Sequence, residues 1–177
     1  PGVSHPLELR YDKNPQSLRT DDNFYRRLTG RCQQALTESQ KDILVFLPGV
    51  GEINKALRFL REESFPLEIQ ILHGSLSLEA QRKVLKKSAQ RRLILSTNIA
   101  ESSVTIDGVG VVIDSGLNKI NSWNVETGFE SLELSRVSLS SAAQRAGRAA
   151  RQGPGLCFRL WNPQDEQSMK AFTEAEI

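Results

Sequence analysis

Two rhythms alternate along this chain. Short runs in which nearly every residue is apolar, "DILVFL" (42–47), "RLILS" (92–96) and "VGVVID" (109–114), are separated by stretches whose apolar residues recur every three or four positions. An apolar run of five or six residues is too short to cross a membrane and suits a strand covered on both faces. "LEIQIL" (67–72) and "GLCFRLW" (155–161) add two strands, and "HPLELRY" (5–11) alternates apolar with polar residues like another. Phe24, Leu28, Cys32 and Ala35 mark one helix face behind a Thr/Asp start, and Ile53, Ala56, Leu57 and Leu60 mark a second. Ser77 is placed to cap a third helix running to about Leu85. Strands alternating with helices through short connections predict βαβ units, hence an α/β fold with a parallel sheet and helices on both faces.

From Leu117 to Val137 that rhythm breaks. Strand-like pieces flank the turn signal "ETG" (126–128), which predicts an antiparallel hairpin inserted in the α/β frame. The following stretch, "SSAAQRAGRAARQGPG" (140–155), combines three arginines with a run of small residues. A helix from about Ser141 places Gln144, Arg148 and Arg151 at i, i+4 and i+7 on one stripe, with Arg145 rotated off it by one position. The small residues around the stripe permit tight packing on the sheet and close approach by a large partner. Glycine is disfavoured by about 1 kcal/mol inside a helix, so a merely solvated helix has no use for Gly147.

Composition narrows the class without deciding it. The chain has 177 residues, 38% apolar and 25% charged, which fits one soluble globular domain. A net charge of +2 permits an anionic partner without demanding one, so any nucleic-acid role rests on where the arginines sit. Cys32 and Cys157 lie far apart with no metal-type spacing and read as small core residues in a reducing, cytoplasmic setting. There is no membrane-length apolar run and no basic-then-apolar leader. A start at Pro1 and an end at "AFTEAEI" read as those of a piece from a longer chain. One domain is expected over residues 1–162, with 163–177 as a tail leading toward a following domain.

In open parallel sheets, ligands bind outside the carboxyl ends of the strands. There the first core strand runs into Pro48 and Gly49, the next into His73, Gly74 and Ser75, and the next into Thr97 and Asn98. Hydroxyls, an amide and open backbone N–H groups suit a phosphate backbone, which such groups hold without reading sequence. Taken singly, each loop also reads as an ordinary βα turn. Trp123 reads equally as a hairpin anchor or as a base-stacking surface, Trp161 and Phe158 as core, and Asp114 as a local cap or ion-pair partner.

The motifs carry a family resemblance. "QRAGRAAR" (144–151) resembles motif VI of superfamily 2 helicases, "STNIAESSVTIDG" (96–108) resembles motif V of the DEAH-box group, and "VFLPG" (45–49) resembles its motif IV. Their order and spacing match, as does the hairpin between motifs V and VI. "FLPGVGEI" with "GLCFRLW" is most similar to the bacterial HrpB-type branch. The resemblance implies a RecA-like fold, the second motor domain of an ATP-dependent RNA helicase. It implies that Arg148 and Arg151 act as arginine fingers on the γ-phosphate and that Gln144 positions the attacking water or the phosphate. Asp107 would bond the ribose or a neighbouring arginine, Thr105 would support that loop, and Leu85 falls where relatives stack an aromatic on the base. Pro48, Gly49, His73, Gly74, Ser75, Thr97 and Asn98 would hold single-stranded RNA, with DNA not excluded, and the hairpin would line or split the strand's path.

Two features bear on activity. Motif VI usually reads "GRAGR", and here Ala150 replaces the second glycine. Neither a GxxxxGK[ST] phosphate loop nor a DEAH-type carboxylate pair occurs in the 177 residues. ATP and Mg²⁺ are therefore expected to be held mainly by a preceding RecA-like domain of the same full-length chain, with no metal site here and no hydrolysis by this domain alone. The rival reading is a non-catalytic module of RecA-like fold that binds single strands or a protein; the intact Gln144, Arg148 and Arg151 weigh against it.

Overall fold

The apolar runs assemble into one sheet. The computed structural model describes residues 5–102 and 104–173. Six parallel strands, β1 (Leu7–Tyr11), β2 (Asp42–Phe46), β3 (Glu68–Leu72), β4 (Arg92–Ser96), β5 (Val109–Asp114) and β8 (Gly155–Arg159), lie in the order β1-β8-β5-β2-β4-β3. The hairpin forms the separate pair β6 (Leu117–Trp123) and β7 (Glu130–Arg136).

Strand period explains the two-sided core. Along β2 and just beyond it, Ile43, Val45 and Leu47 pack with Leu28, Cys32, Ile53 and Leu60 of α1 (Asp22–Glu38) and α2 (Val50–Glu62). Leu44 and Phe46 point to the other face and pack with Val84 of α3 (Leu78–Leu85) and Ala146 of α4 (Leu139–Gly147). Every residue of β2, β4 and β5 is buried, as continuous apolar runs require. The alternating segment forms the edge strand β1, whose Leu7 and Leu9 stay exposed. Helix starts follow their caps: Asp21 accepts from the Phe24 amide at 3.0 Å and Ser77 from the Ala80 amide at 3.1 Å. Cys32 and Cys157 are buried and unpaired, and burial pushes both thiols well above their ordinary pKa.

The arginine helix departs from expectation at both ends. Ser138, not a residue near Ser141, is its N-cap, with Oγ accepting from the Ser141 amide at 3.1 Å. The α-helix stops at Gly147 and residues Arg148–Ala150 tighten into a 3₁₀ turn, so Gln144, Arg148 and Arg151 do not form a continuous α-helical stripe. The reason lies under the turn. A Cβ on Gly155, the first residue of β8, would collide with the Ala149 carbonyl and the Ala150 amide, so the two backbones cross in direct contact. The glycine that this crossing needs is Gly155; Ala149 and Ala150 are buried around it, and the Ala150 carbonyl accepts from the His5 amide at 3.1 Å.

The hairpin's root is buried and its far end is exposed. Gly116 has φ +73°, donates its amide to Asp114 Oδ1 at 2.8 Å and accepts from the Val137 amide at 2.9 Å. Leu117 and Val137 at the root are fully buried, whereas Trp123 is 61% exposed and so anchors nothing. Trp161 and Phe158 are core, and Met169 joins Trp161, Val137 and Ala142 in a small cluster after the 3₁₀ segment Pro163–Ser168.

The two glycines should respond oppositely to substitution. Gly155→Ala forces two backbones apart and should lower unfolding free energy by about 1–3 kcal/mol or more. Gly147 has φ −59° with open space around its Cβ position, so Gly147→Ala should raise it by roughly 0.4–1 kcal/mol. Urea unfolding of the two variants beside the parent measures both.

Candidate functional site

Sheet order sorts the candidate residues into two groups. β2, β4 and β3 are adjacent, so the loops bearing Pro48–Gly49, Thr97–Asn98 and His73–Ser75 lie side by side at the carboxyl edge. Their bases are joined: the Leu47 amide donates to the Ser96 carbonyl at 2.8 Å and the Thr97 amide to the Leu72 carbonyl at 3.2 Å. Gly74, Ser75 and Asn98 are exposed; Thr97, His73, Pro48 and Gly49 are half-buried. Gly49 caps α2 without any side-chain bond, leaving first-turn amides available. Lys119 of the hairpin reaches over this loop to Glu52, Nζ to Oε1 at 2.8 Å, and its Nζ lies only 2.9 Å from where a Gly49 Cβ would sit. The Lys119–Glu52 pair over the loop is a contact between distant segments that sequence reading did not detect.

The second group stands at the opposite, amino edge. The segment after β4 crosses the sheet on the α4 face and reaches the start of β5, carrying Thr105 and Asp107 away from Thr97 and Asn98; Ser103 within it lies outside the described residues. Arg151 donates through Nη1 to Thr105 Oγ1 at 3.1 Å. Asp107 pairs with neither arginine: its Oδ1 accepts from Gln152 Nε2 at 2.8 Å, while Gln152 Oε1 accepts from the Gly108 amide at 2.9 Å. The Asp107 amide donates to the Leu85 carbonyl at 3.2 Å, so those two candidates share a wall; Leu85 itself packs partly buried against the α4-side core. Gln144 lies earlier, on the α-helix proper, exposed and without a hydrogen bond to the described residues.

Arg148 is held differently from Arg151. Its Nε donates to the Glu101 carbonyl and its Nη1 to the Val104 carbonyl, both at 2.9 Å. Among the described residues no carboxylate lies within ion-pair distance of either Arg148 or Arg151. Burial, and then the neighbouring Arg151 cation, hold the Arg148 pKa below its ordinary value. A hollow of about 10 Å³ between Arg148, Arg151, Gln152 and Ile106 adjoins an open cleft of about 370 Å³ lined by Asp42, Lys87, Gly108 and Gln152. The larger space is of a size that takes small ligands.

Residues 26–153 match the family model of the helicase conserved C-terminal domain. The chain belongs to that family. It is 45% identical over 143 residues to the ATP-dependent RNA helicase DEAH12, chloroplastic, of Arabidopsis thaliana, covering 80% of this chain and 8% of the relative. It is 38% identical over 170 residues to the pre-mRNA-splicing factor ATP-dependent RNA helicase prp22 of Schizosaccharomyces pombe, covering 91% of this chain and 14% of that one. The crystal structure of the E. coli DExH-box NTPase HrpB superposes with a TM-score of 0.83 at 35% identity, covering 99% of this chain and 22% of that one. The chain therefore spans less than a quarter of the length of these relatives. It is a RecA-like C-terminal helicase domain of the DEAH-box group, and the expected parallel sheet with an inserted hairpin is the architecture observed.

Two side chains to which the resemblance gave no role frame this helicase domain. Arg92 is fully buried and binds Asp42 (Nε to Oδ2, 3.0 Å), Gln70, the Val84 carbonyl and the Asp107 carbonyl. Its signal was a charged residue opening each of two adjacent buried strands, with the registers of β2 and β4 placing them opposite one another. Arg145, read as rotated off the functional stripe, is 1% exposed and bridges Glu101 and Asp114. Its signal was a position among Ala142, Ala146 and Ala149, the buried side of the helix. No helix among the described residues is long and apolar enough to cross a membrane, and no three His, Cys, Asp or Glu side chains among them gather to hold a metal ion.

Asp42→Ala leaves the Arg92 guanidinium buried without its ion-pair partner and should cost about 3–5 kcal/mol of unfolding free energy. Denaturant unfolding checks this; a cost below about 1 kcal/mol would show that water replaces the carboxylate.

Proposed function

We propose that this chain is the second motor domain of an ATP-dependent RNA helicase, supplying arginine fingers to a nucleotide held across a domain cleft and backbone contacts to a single strand. The observation that carries the reading is the pair Arg148 and Arg151 at one edge, with no carboxylate among the described residues within ion-pair distance of either. One is half-buried and held by carbonyl oxygens; the other rests on the Thr105 hydroxyl. Two adjacent cations of this kind are relieved by an incoming anion, and guanidinium geometry suits bidentate contact with phosphate oxygens. Asp107, Thr105 and Leu85 frame the nucleoside side of that position. Gln144 would approach the phosphate only from the adjoining α-helical turn.

ATP and Mg²⁺ would be bound mainly by a preceding RecA-like domain of the full-length chain. This domain offers no acidic cluster suited to the metal among the described residues. Closure on ATP would bring Arg148 and Arg151 against the γ-phosphate as its charge redistributes, and release after hydrolysis would let the domains part. Pro48, Gly49, His73 to Ser75, Thr97 and Asn98 would hold the phosphates of single-stranded RNA at the far edge, so each closure would shift the strand relative to the first domain. Exposed Trp123 and Phe129 of the hairpin offer stacking surface along that path, and a domain following residue 162 would complete it.

In the full-length protein, Arg148→Ala should lower kcat for ATP by ~10³-fold or more while the Kd for single-stranded RNA stays within a few fold. Steady-state hydrolysis with fluorescence-anisotropy binding separates the two; lost RNA binding with normal turnover would contradict the assignment. The isolated domain should hydrolyse no ATP above buffer in a phosphate-release assay, and measurable turnover would show that it is not half of a shared site.

A further inference from the structure

The candidate finger and the strand-facing edge are joined through Glu101. Its backbone carbonyl accepts from Arg148 Nε at 2.9 Å, and its carboxylate accepts from Ser141 Oγ and from Arg145 Nε, the latter at 2.9 Å. Arg145 then extends Nη1 to Asp114 Oδ1 at 2.9 Å and to the Leu117 carbonyl at 3.5 Å, while its guanidinium stacks 4.9 Å from the centre of the Phe46 ring. Phe46 is the last residue of β2, immediately before Leu47 and the Pro48–Gly49 loop; Leu117 is the first residue of the hairpin. One buried side chain therefore touches the segment that holds Arg148, the strand leading into the motif IV loop and the hairpin root.

We propose that Arg145, with Glu101 as its partner, is a positioning residue that couples placement of Arg148 to the state of the strand-contacting edge, so that occupancy by RNA and ATP turnover are linked through it. This rests on the helicase reading above. Arg145 touches neither nucleotide nor strand, and its whole effect passes through Glu101, Asp114 and the Leu117 carbonyl. A displacement of the hairpin root or of the β2 end acts directly on the guanidinium, which is clamped on both sides. Tilting it moves Glu101, and the Glu101 carbonyl accepts one of the two guanidinium hydrogen bonds that Arg148 makes among the described residues. Arg145→Lys keeps the charge but, as a single ammonium, cannot span Glu101 and Asp114 in this geometry. Glu101→Gln keeps the shape and leaves the carbonyl to Arg148 in place while removing the carboxylate from Arg145.

The test uses the full-length protein and compares kcat for ATP at saturating single-stranded RNA with kcat in its absence, alongside duplex unwound per ATP consumed. Both variants should lose ~10-fold of the RNA stimulation, within the range usual for coupling between sites, and should unwind less per ATP at an unchanged RNA Kd. The double variant should lose no more than the stronger single one, because the two residues act as a unit. Stimulation ratios within two-fold of the parent for Glu101→Gln would overturn the proposal, whether or not Arg145→Lys folds. A parent protein without any RNA stimulation would instead overturn the helicase reading, and this inference with it.

Discussion

The hairpin root and the arginine helix of this domain meet at a guanidinium that has almost no contact with water, that of Arg145. Taking an ion of this kind out of solvent costs several kcal/mol, and that cost is offset only where charge and geometry are both matched. Arg145 is matched by Glu101, Asp114, a carbonyl and the face of Phe46, drawn from four separate parts of the chain. The match constrains each of them. Asp114 must end β5 at a fixed height, Gly116 must turn at positive φ so that its amide reaches the same carboxylate, and the segment after β4 must cross the sheet at Glu101. The hairpin root and the arginine turn inherit their positions from these requirements.

The sheet then separates two kinds of chemistry. At its carboxyl edge lie open amides, hydroxyls and small residues; at its amino edge lie two arginines with no carboxylate counterion among the described residues, beside a cleft. A single motif, residues 96 to 108, passes from one edge to the other and so belongs to both. The division occurs in a chain that belongs to the helicase C-terminal family and is similar in fold to the HrpB structure.

Much of the frame was legible in residue order because strand and helix periods are local. Ile43, Val45 and Leu47 against Leu44 and Phe46 foretell two covered faces, and Asp21 and Ser77 announce their helices. Contacts between distant segments were not legible. The α-helix ends at Gly147 because β8 begins with Gly155 beneath the next turn, a crossing that no window around residue 147 reveals. Arg145 looks like a surface charge until the helix face is known, since burial depends on carboxylates 31 and 44 residues away. Strand order, which the sequence does not spell out, sets the Pro48, Thr97 and His73 loops side by side, while the segment after β4 carries Thr105 and Asp107 to the other edge. Trp123, read equally as a hairpin anchor or a base-stacking surface, is not the anchor, because Leu117 and Val137 fill the root instead.

The central claim is that Arg148 and Arg151 face a nucleotide's terminal phosphate supplied by another domain. A crystal structure of the full-length protein with ADP and a beryllium fluoride or aluminium fluoride γ-phosphate mimic tests this most directly. The account predicts nitrogens of both guanidiniums at about 3 Å from the fluoride group, with Arg151 released from Thr105. A closed complex in which both arginines remain turned away from the mimic, and another cation occupies that position, would contradict it.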